Sequence, residues 1–190
     1  MQFGSLRAPA PLGHLVWWAG SAPVTAGDVQ TAWARAGLPA VTEEFPAALE
    51  ATLNGWLAVP VLERSGVFWL TPEFDGSLAA LRRAFTQLQG WHLHTVPVRA
   101  SADTLEALRA SASHEVQRRV AALTTELEAL FAQPRQRASL LVRRLDAVER
   151  LRAQAALHAR HLTLMHQGLT ARLDALAQRV DAALCARIVA

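Results

Sequence analysis

The chain is predicted to be an α+β protein: a small head with a short sheet over residues 14–98, then a long antiparallel coiled-coil helical hairpin over residues 101–188, with residues 1–13 an irregular arm. Three observations lead there. Eleven of the twelve aromatic residues, including all six tryptophans, lie within the first 91 positions. Large rings build compact cores, because each buries a large apolar area. The second half is rich in Ala, Leu and Arg, the composition of long helices. Its leucines and valines recur at alternating steps of four and three, the seam of paired helices.

The elements follow in order. His14-Leu15-Val16-Trp17-Trp18 is a short apolar run closed by Ala-Gly-Ser, as a buried strand is. Thr25 with Asp28 three residues on forms a capping-box-like helix start. Val29, Ala32, Trp33 and Ala36 share a face of that helix, and Gly37 and Pro39 stop it. Thr42 and Pro46 frame a second helix with Ala48, Leu49, Leu53 and Trp56 on its apolar side. Residues 59–62 and 67–70 read as a hairpin turning at Glu63-Arg64-Ser65-Gly66. Thr71-Pro72-Glu73 reads as a helix start with a capping Thr, and that helix turns Phe74, Leu78, Leu81 and Phe85 inward. Trp91 to Val98 is a further strand, reached through a crossover onto the same sheet.

Ser101 caps the first long helix, expected to about Ala132. Val116, Val120, Leu123, Leu127 and Leu130 form its seam. Gln133-Pro134 breaks it, because proline lacks the amide donor and clashes with the preceding turn. A second helix is expected from about Ala138 to Arg187. Its seam runs through Leu141, Leu145, Val148, Leu151, Ala155, His158, Leu162, Met165 and Leu169, then shifts to Leu173, Leu176, Val180 and Leu184, as at a stutter. His158 is expected as a polar, register-setting position within the seam.

Charge is uneven. Residues 1–100 carry six Arg against seven acids, and residues 101–190 carry thirteen Arg against nine acids. Any attraction for phosphate therefore belongs to the second half. The chain has no lysine and no tyrosine, so arginine alone holds up the high pI. The single cysteine, Cys185, permits no internal disulfide and fits a reducing cytoplasm. No run of about 18 apolar residues is present, so no membrane span is expected.

The order strand, helix, helix, hairpin over residues 14–70 resembles a winged helix-turn-helix. Gly66-Val67-Phe68-Trp69-Leu70-Thr71-Pro72-Glu73 is similar to the wing strand and following helix start of bacterial winged-helix regulators, in which a dimerising coiled coil follows. That resemblance implies DNA binding by the second helix in the major groove. The residues oppose it: this helix and its lead-in offer Glu43, Glu44 and Glu50 and no Arg. A broader resemblance spans Leu15-Val16-Trp17-Trp18, the helix ending in Gly37-Leu38-Pro39, the Gly-Val-Phe-Trp-Leu-Thr-Pro strand and the helical hairpin. In that order the chain resembles an uncharacterised family of phage-associated and bacterial proteins, which brings no activity to transfer.

The Gly-rich phosphate loop, Gly-x-Ser-x-Gly and His-Glu-x-x-His motifs are missing, and no cofactor is expected. The histidines pair at best: His158 with His161 on a helix, His92 with His94 on a strand, too few for zinc. The expectation is therefore a non-enzymatic, cytoplasmic binding or scaffold protein. It dimerises through the coiled coil and presents the head for protein contact, with Trp17 and Trp18 as partner-binding residues. The alternative is a winged-helix DNA-binding protein dimerised the same way. For nucleic acid the candidates are Arg64, Arg135, Arg137, Arg143 and Arg144, set against the plainer reading of a solvated helix face laced with pairs such as Glu149–Arg152.

Overall fold

The computed structural model describes residues 11–61, 66–133 and 138–188. The fold is α+β. It divides into two compact units, Met1–Leu108 and Arg109–Ala190. The first, the head, holds β1 (His14–Gly20), α1 (Ala26–Ala36), α2 (Ala47–Gly55), β2 (Val59–Pro60), β3 (Phe68–Leu70), a 3-10 turn (Pro72–Phe74), α3 (Asp75–Phe85) and β4 (Trp91–Pro97). A long helix, α4 (Ala102–Phe131), begins in the head and supplies most of its length to the second unit, which adds α5 (Ala138–Leu162) and α6 (Leu169–Ile188).

The head is a four-stranded sheet with one helical layer on its inner face. Strand order is β2-β3-β1-β4 and every pairing is antiparallel. Since β3 and β4 both run against β1, they are parallel to each other, and α3 carries the chain across β1 between them. The side-chain alternation of a strand puts Val16 and Trp18 inward and Trp17 outward. Val16 joins Val29, Ala32 and Trp33 of α1, Leu49 and Leu53 of α2, and Leu78 and Leu81 of α3 in one core, with Trp18 packed against it. Each buried valine or leucine among them stabilises the fold by roughly 1.5–3 kcal/mol.

Local chemistry fixes the helix ends. Thr25 and Asp28 close a reciprocal capping box: Asp28 N–H donates to Thr25 Oγ1 at 3.2 Å and Thr25 N–H to Asp28 Oδ2 at 3.1 Å. Gly37 ends α1 in the left-handed conformation. Buried Trp33 donates its indole N–H to Thr52 Oγ1 at 3.0 Å, and that hydroxyl donates to Ala48 O at 2.8 Å. One expectation is corrected at Thr71. Its side chain is buried and caps nothing, and the chain enters α3 through the 3-10 turn instead.

The second unit is a three-helix bundle. The α4 seam of Val116, Val120, Leu123, Leu127 and Leu130 is buried against Leu141, Val148 and Leu151 of α5 and Leu169, Leu173, Leu176 and Val180 of α6. Arg109 Nε donates to Leu162 O at 2.7 Å and Arg144 pairs with Glu126 at 2.6 Å, so α4 and α5 run antiparallel. Arg152 of α5 pairs with Asp174 of α6, and Arg179 lies 4.9 Å over the Phe131 ring, which sets α6 parallel to α4.

The single second rod expected from Ala138 to Arg187 is observed as two helices that fold back on each other. Thr163 and Gly168 take positive φ, 53° and 67°, and bracket the turn. The bond from Arg109 satisfies a carbonyl that the end of α5 leaves open. Met165, expected in the seam, falls in this turn and is 76% exposed. The proline turn at Pro134 and the hairpin turn at residues 63–65 lie outside the described residues.

Candidate functional site

Two places in the molecule carry chemistry that packing alone does not require. One is the outer face and free edge of the sheet. Trp17, half-buried, stacks on the ring of exposed His94, its cross-strand partner, with centroids 5.2 Å apart. His92 and His94 point to that same outer face, as does Val96, which is 46% exposed. Trp18 faces the other way and stacks on Phe68 at 5.8 Å. The two adjacent tryptophans thus divide between the core and the surface. At the edge, α3 and β4 enclose an open hollow of about 200 Å³.

The other is a polar layer in the bundle, where the apolar seam is interrupted. Glu115 of α4 is buried and receives both arms of the Arg118 guanidinium, Nε at 2.9 Å and Nη2 at 2.8 Å, together with Arg119 Nε. Burial pushes the Glu115 carboxyl up, but the hydrogen bonds and charges of the two guanidiniums more than offset it, and its pKa lies below the ordinary carboxylate value. From α5, Gln154 and His158 are buried too. The Gln154 amide finds no hydrogen-bond partner among the described residues. His158 Nδ1 lies 3.0 Å from His166 Nε2 in the turn after α5. Burial first, then His166 and Arg119, lowers the pKa of His158 from 6.5 to about 4. His166 is lowered by burial alone. Beside this layer, between α5 and α6, lies a cleft of about 330 Å³ lined by Ala155, Ala159, Leu164, Met165 and Leu173. Neutral and close-packed, the histidine pair suits a structural hydrogen bond better than acid–base work.

Of the candidate arginines, Arg143 is exposed on α5, and Arg144 is half-buried and held by Glu126. Arg64, Arg135 and Arg137 lie outside the described residues. Glu149–Arg152 forms as the spacing implies, and Asp174 joins it. Arg143 and Arg144 belong to the helical unit, and Trp17 and Trp18 to the head. Among the described residues no three His, Cys, Asp or Glu side chains gather as a metal site requires. Nor is any helix among them long and apolar enough to cross a membrane.

Sequence reasoning missed the pairing of His158 with His166, because it placed both on one straight helix where a step of eight keeps them two turns apart. It also passed over Glu115 and Gln154. The available signal was their place in the pattern: Glu115 directly precedes Val116, and Gln154 falls three beyond Leu151, both beside the seam.

Fold and site together define a two-unit α+β protein: a mixed head with an aromatic surface, and a helical bundle. A family model matches residues 43–189, most of the chain, and the protein belongs to that family, described as a family of unknown function (DUF6744). Neither the search of curated proteins nor that of solved structures returned a match.

Proposed function

We propose that this chain is a non-enzymatic binding protein, a scaffold or adaptor that self-associates through coiled-coil pairing of its helical unit into a homodimer and presents its head to a protein partner. The observation that carries this is the outer sheet face, where Trp17 lies stacked on exposed His94 beside Val96. A large ring left partly in water forgoes burial, and such amphipathic aromatics serve as anchors at protein interfaces. Self-association draws support from Val142 of α5, a large aliphatic side chain left 47% exposed. A cytoplasmic setting suits the exposed free thiol of Cys185. Sedimentation of the full chain over a hundredfold range of concentration tests the assembly. A dimer is expected, and Val142→Glu is expected to shift it to monomer by placing a charge where an apolar contact forms. A chain that sediments as monomer throughout removes the assembly part of the reading.

The winged-helix, DNA-binding reading is the alternative. It draws on the surplus of arginine in residues 101–190 and on exposed Arg143. Helix α2, which would enter the groove, turns Ala47, Glu50, Ala51 and Asn54 to solvent and offers no cation. A role alongside phage proteins rests on the sequence resemblance alone.

A further inference from the structure

We propose that the free edge of β4 is a docking site for an extended acidic peptide, which adds to the sheet as a fifth strand and seats an apolar side chain in the hollow between β4 and α3. The inference rests on the reading of the head as a binding module and names the partner's chemistry.

Strand β4 ends the sheet and pairs with β1 along all seven residues, from Trp91↔Gly20 to Pro97↔His14. Beyond that ladder, the bond its backbone makes among the described residues is Trp91 N–H to Leu88 O at 3.3 Å. A row of amides and carbonyls along the outer edge therefore meets no hydrogen-bond partner among the described residues. Proteins ordinarily blunt such an edge with short strands, charges, proline or a bulge. The opposite edge of this sheet obeys the rule: β2 is two residues long and one of them is Pro60. At β4 those devices are missing. Its sequence, Trp-His-Leu-His-Thr-Val-Pro, has no Lys, Arg, Asp or Glu, its register advances one for one without a bulge, and its proline comes last.

The hollow beside this edge is lined by Phe85, Trp91 and Leu93, with Arg82, Thr86 and His92 around them. Strand addition of this kind takes affinity from main-chain hydrogen bonds and specificity from pockets for alternate side chains. Here the pocket offers an apolar floor and a cationic rim. Arg82 spends one arm on Thr95 Oγ1, which fixes the guanidinium over the inner side of the strand. Charge selects the occupant. Two copies of this chain pairing β4 to β4 across a two-fold axis would bring two Arg82 side chains to the same side, a like-charge contact, whereas an acidic peptide neutralises Arg82.

Titration of the isotope-labelled full chain with a capped hexapeptide, Thr-Leu-Thr-Glu-Thr-Val, whose Leu and Glu share one face of a strand, followed by amide and indole resonances, tests this. Saturable shifts are expected at residues 91–97 and at the Trp91 indole. The same peptide with Lys for Glu is expected to bind about fivefold more weakly, the worth of one partly exposed ion pair. N-methylation at one alternate set of peptide amides is expected to abolish binding and at the other set to spare it, because only one set faces β4. In the Arg82→Gln chain the Glu and Lys peptides are expected to bind alike. Absence of shifts at millimolar peptide, equal binding of both N-methyl forms, or no preference for Glu over Lys in the unaltered chain overturns the proposal. So does a concentration-dependent shift of the β4 amides without peptide, which assigns the edge to a second copy. A chain that sediments as a dimer yet binds no peptide ends this inference and leaves the scaffold reading standing.

Discussion

Gly13 opens the first strand with φ at +135°, where L side chains are strained, and a Cβ built there would overlap the Leu70 carbonyl oxygen of the neighbouring strand. Gly13→Ala is therefore expected to destabilise the chain by about 1–3 kcal/mol from backbone strain alone, read as a fall in the urea midpoint without a change in slope. His158 gives a pH-dependent counterpart. Its imidazole stays neutral in the fold down to about pH 4, while in the unfolded chain it titrates near 6.5. Between those values the unfolded state binds the extra proton, so stability falls as pH drops through this window and is level above it. The loss is about 3 kcal/mol by pH 4. Urea unfolding at pH 7, 5.5 and 4 measures it, and His158→Leu is expected to flatten the pH profile in that window. An unchanged slope in the variant would assign the acid sensitivity to other groups. Neither behaviour was legible in the sequence. Gly13 is one glycine in a proline- and glycine-rich segment, and the environment of His158 depends on a turn that the pattern does not announce.

At the scale of elements, what the sequence revealed and what it hid have separate causes. The capping box of Thr25 and Asp28, the stop at Gly37, the apolar face of α2 and the α4 seam all follow from local hydrogen bonding or from a period of 3.6, and all were readable. The turn between α5 and α6 was not, because Leu162, Met165 and Leu169 keep steps of three and four across it, so a broken helix and a straight one carry the same periodicity. Gly168 was the one local marker. The other end of the turn rests on Thr163, a β-branched residue at φ 53°, a conformation that costs such residues roughly 1–2 kcal/mol. Thr163 is exposed and sits outside both helices. Thr163→Gly is accordingly expected to raise stability by about 0.5–1 kcal/mol, the relief of strain less the added freedom of the unfolded chain. A thermal midpoint lower than that of the unaltered protein would show that the Thr163 side chain contributes contacts that outweigh the strain.

At the scale of the whole molecule, the question is what the arginine surplus is for. Thirteen arginines against nine acids in residues 101–190 read, from sequence, as an attraction for phosphate. The structure shows four of those thirteen arginines engaged by the unit's own acids: Arg118 and Arg119 hold Glu115, Arg144 holds Glu126, and Arg152 holds Glu149 and Asp174. A guanidinium already bonded to a carboxylate must give up that partner to take a phosphate. Counterion release scales with the number of phosphates neutralised, about 0.9 in logarithmic slope for each. Binding of the full chain to a 20-base-pair duplex is therefore expected to be weak, with a dissociation constant no tighter than the roughly 10⁻⁴–10⁻⁶ M of non-specific binding. Its salt slope is expected to correspond to fewer than about four phosphates. Fluorescence anisotropy between 50 and 300 mM salt measures both. A slope matching eight or more phosphates would mean that the carboxylate pairs open on contact with DNA, and the nucleic-acid reading would then displace the scaffold.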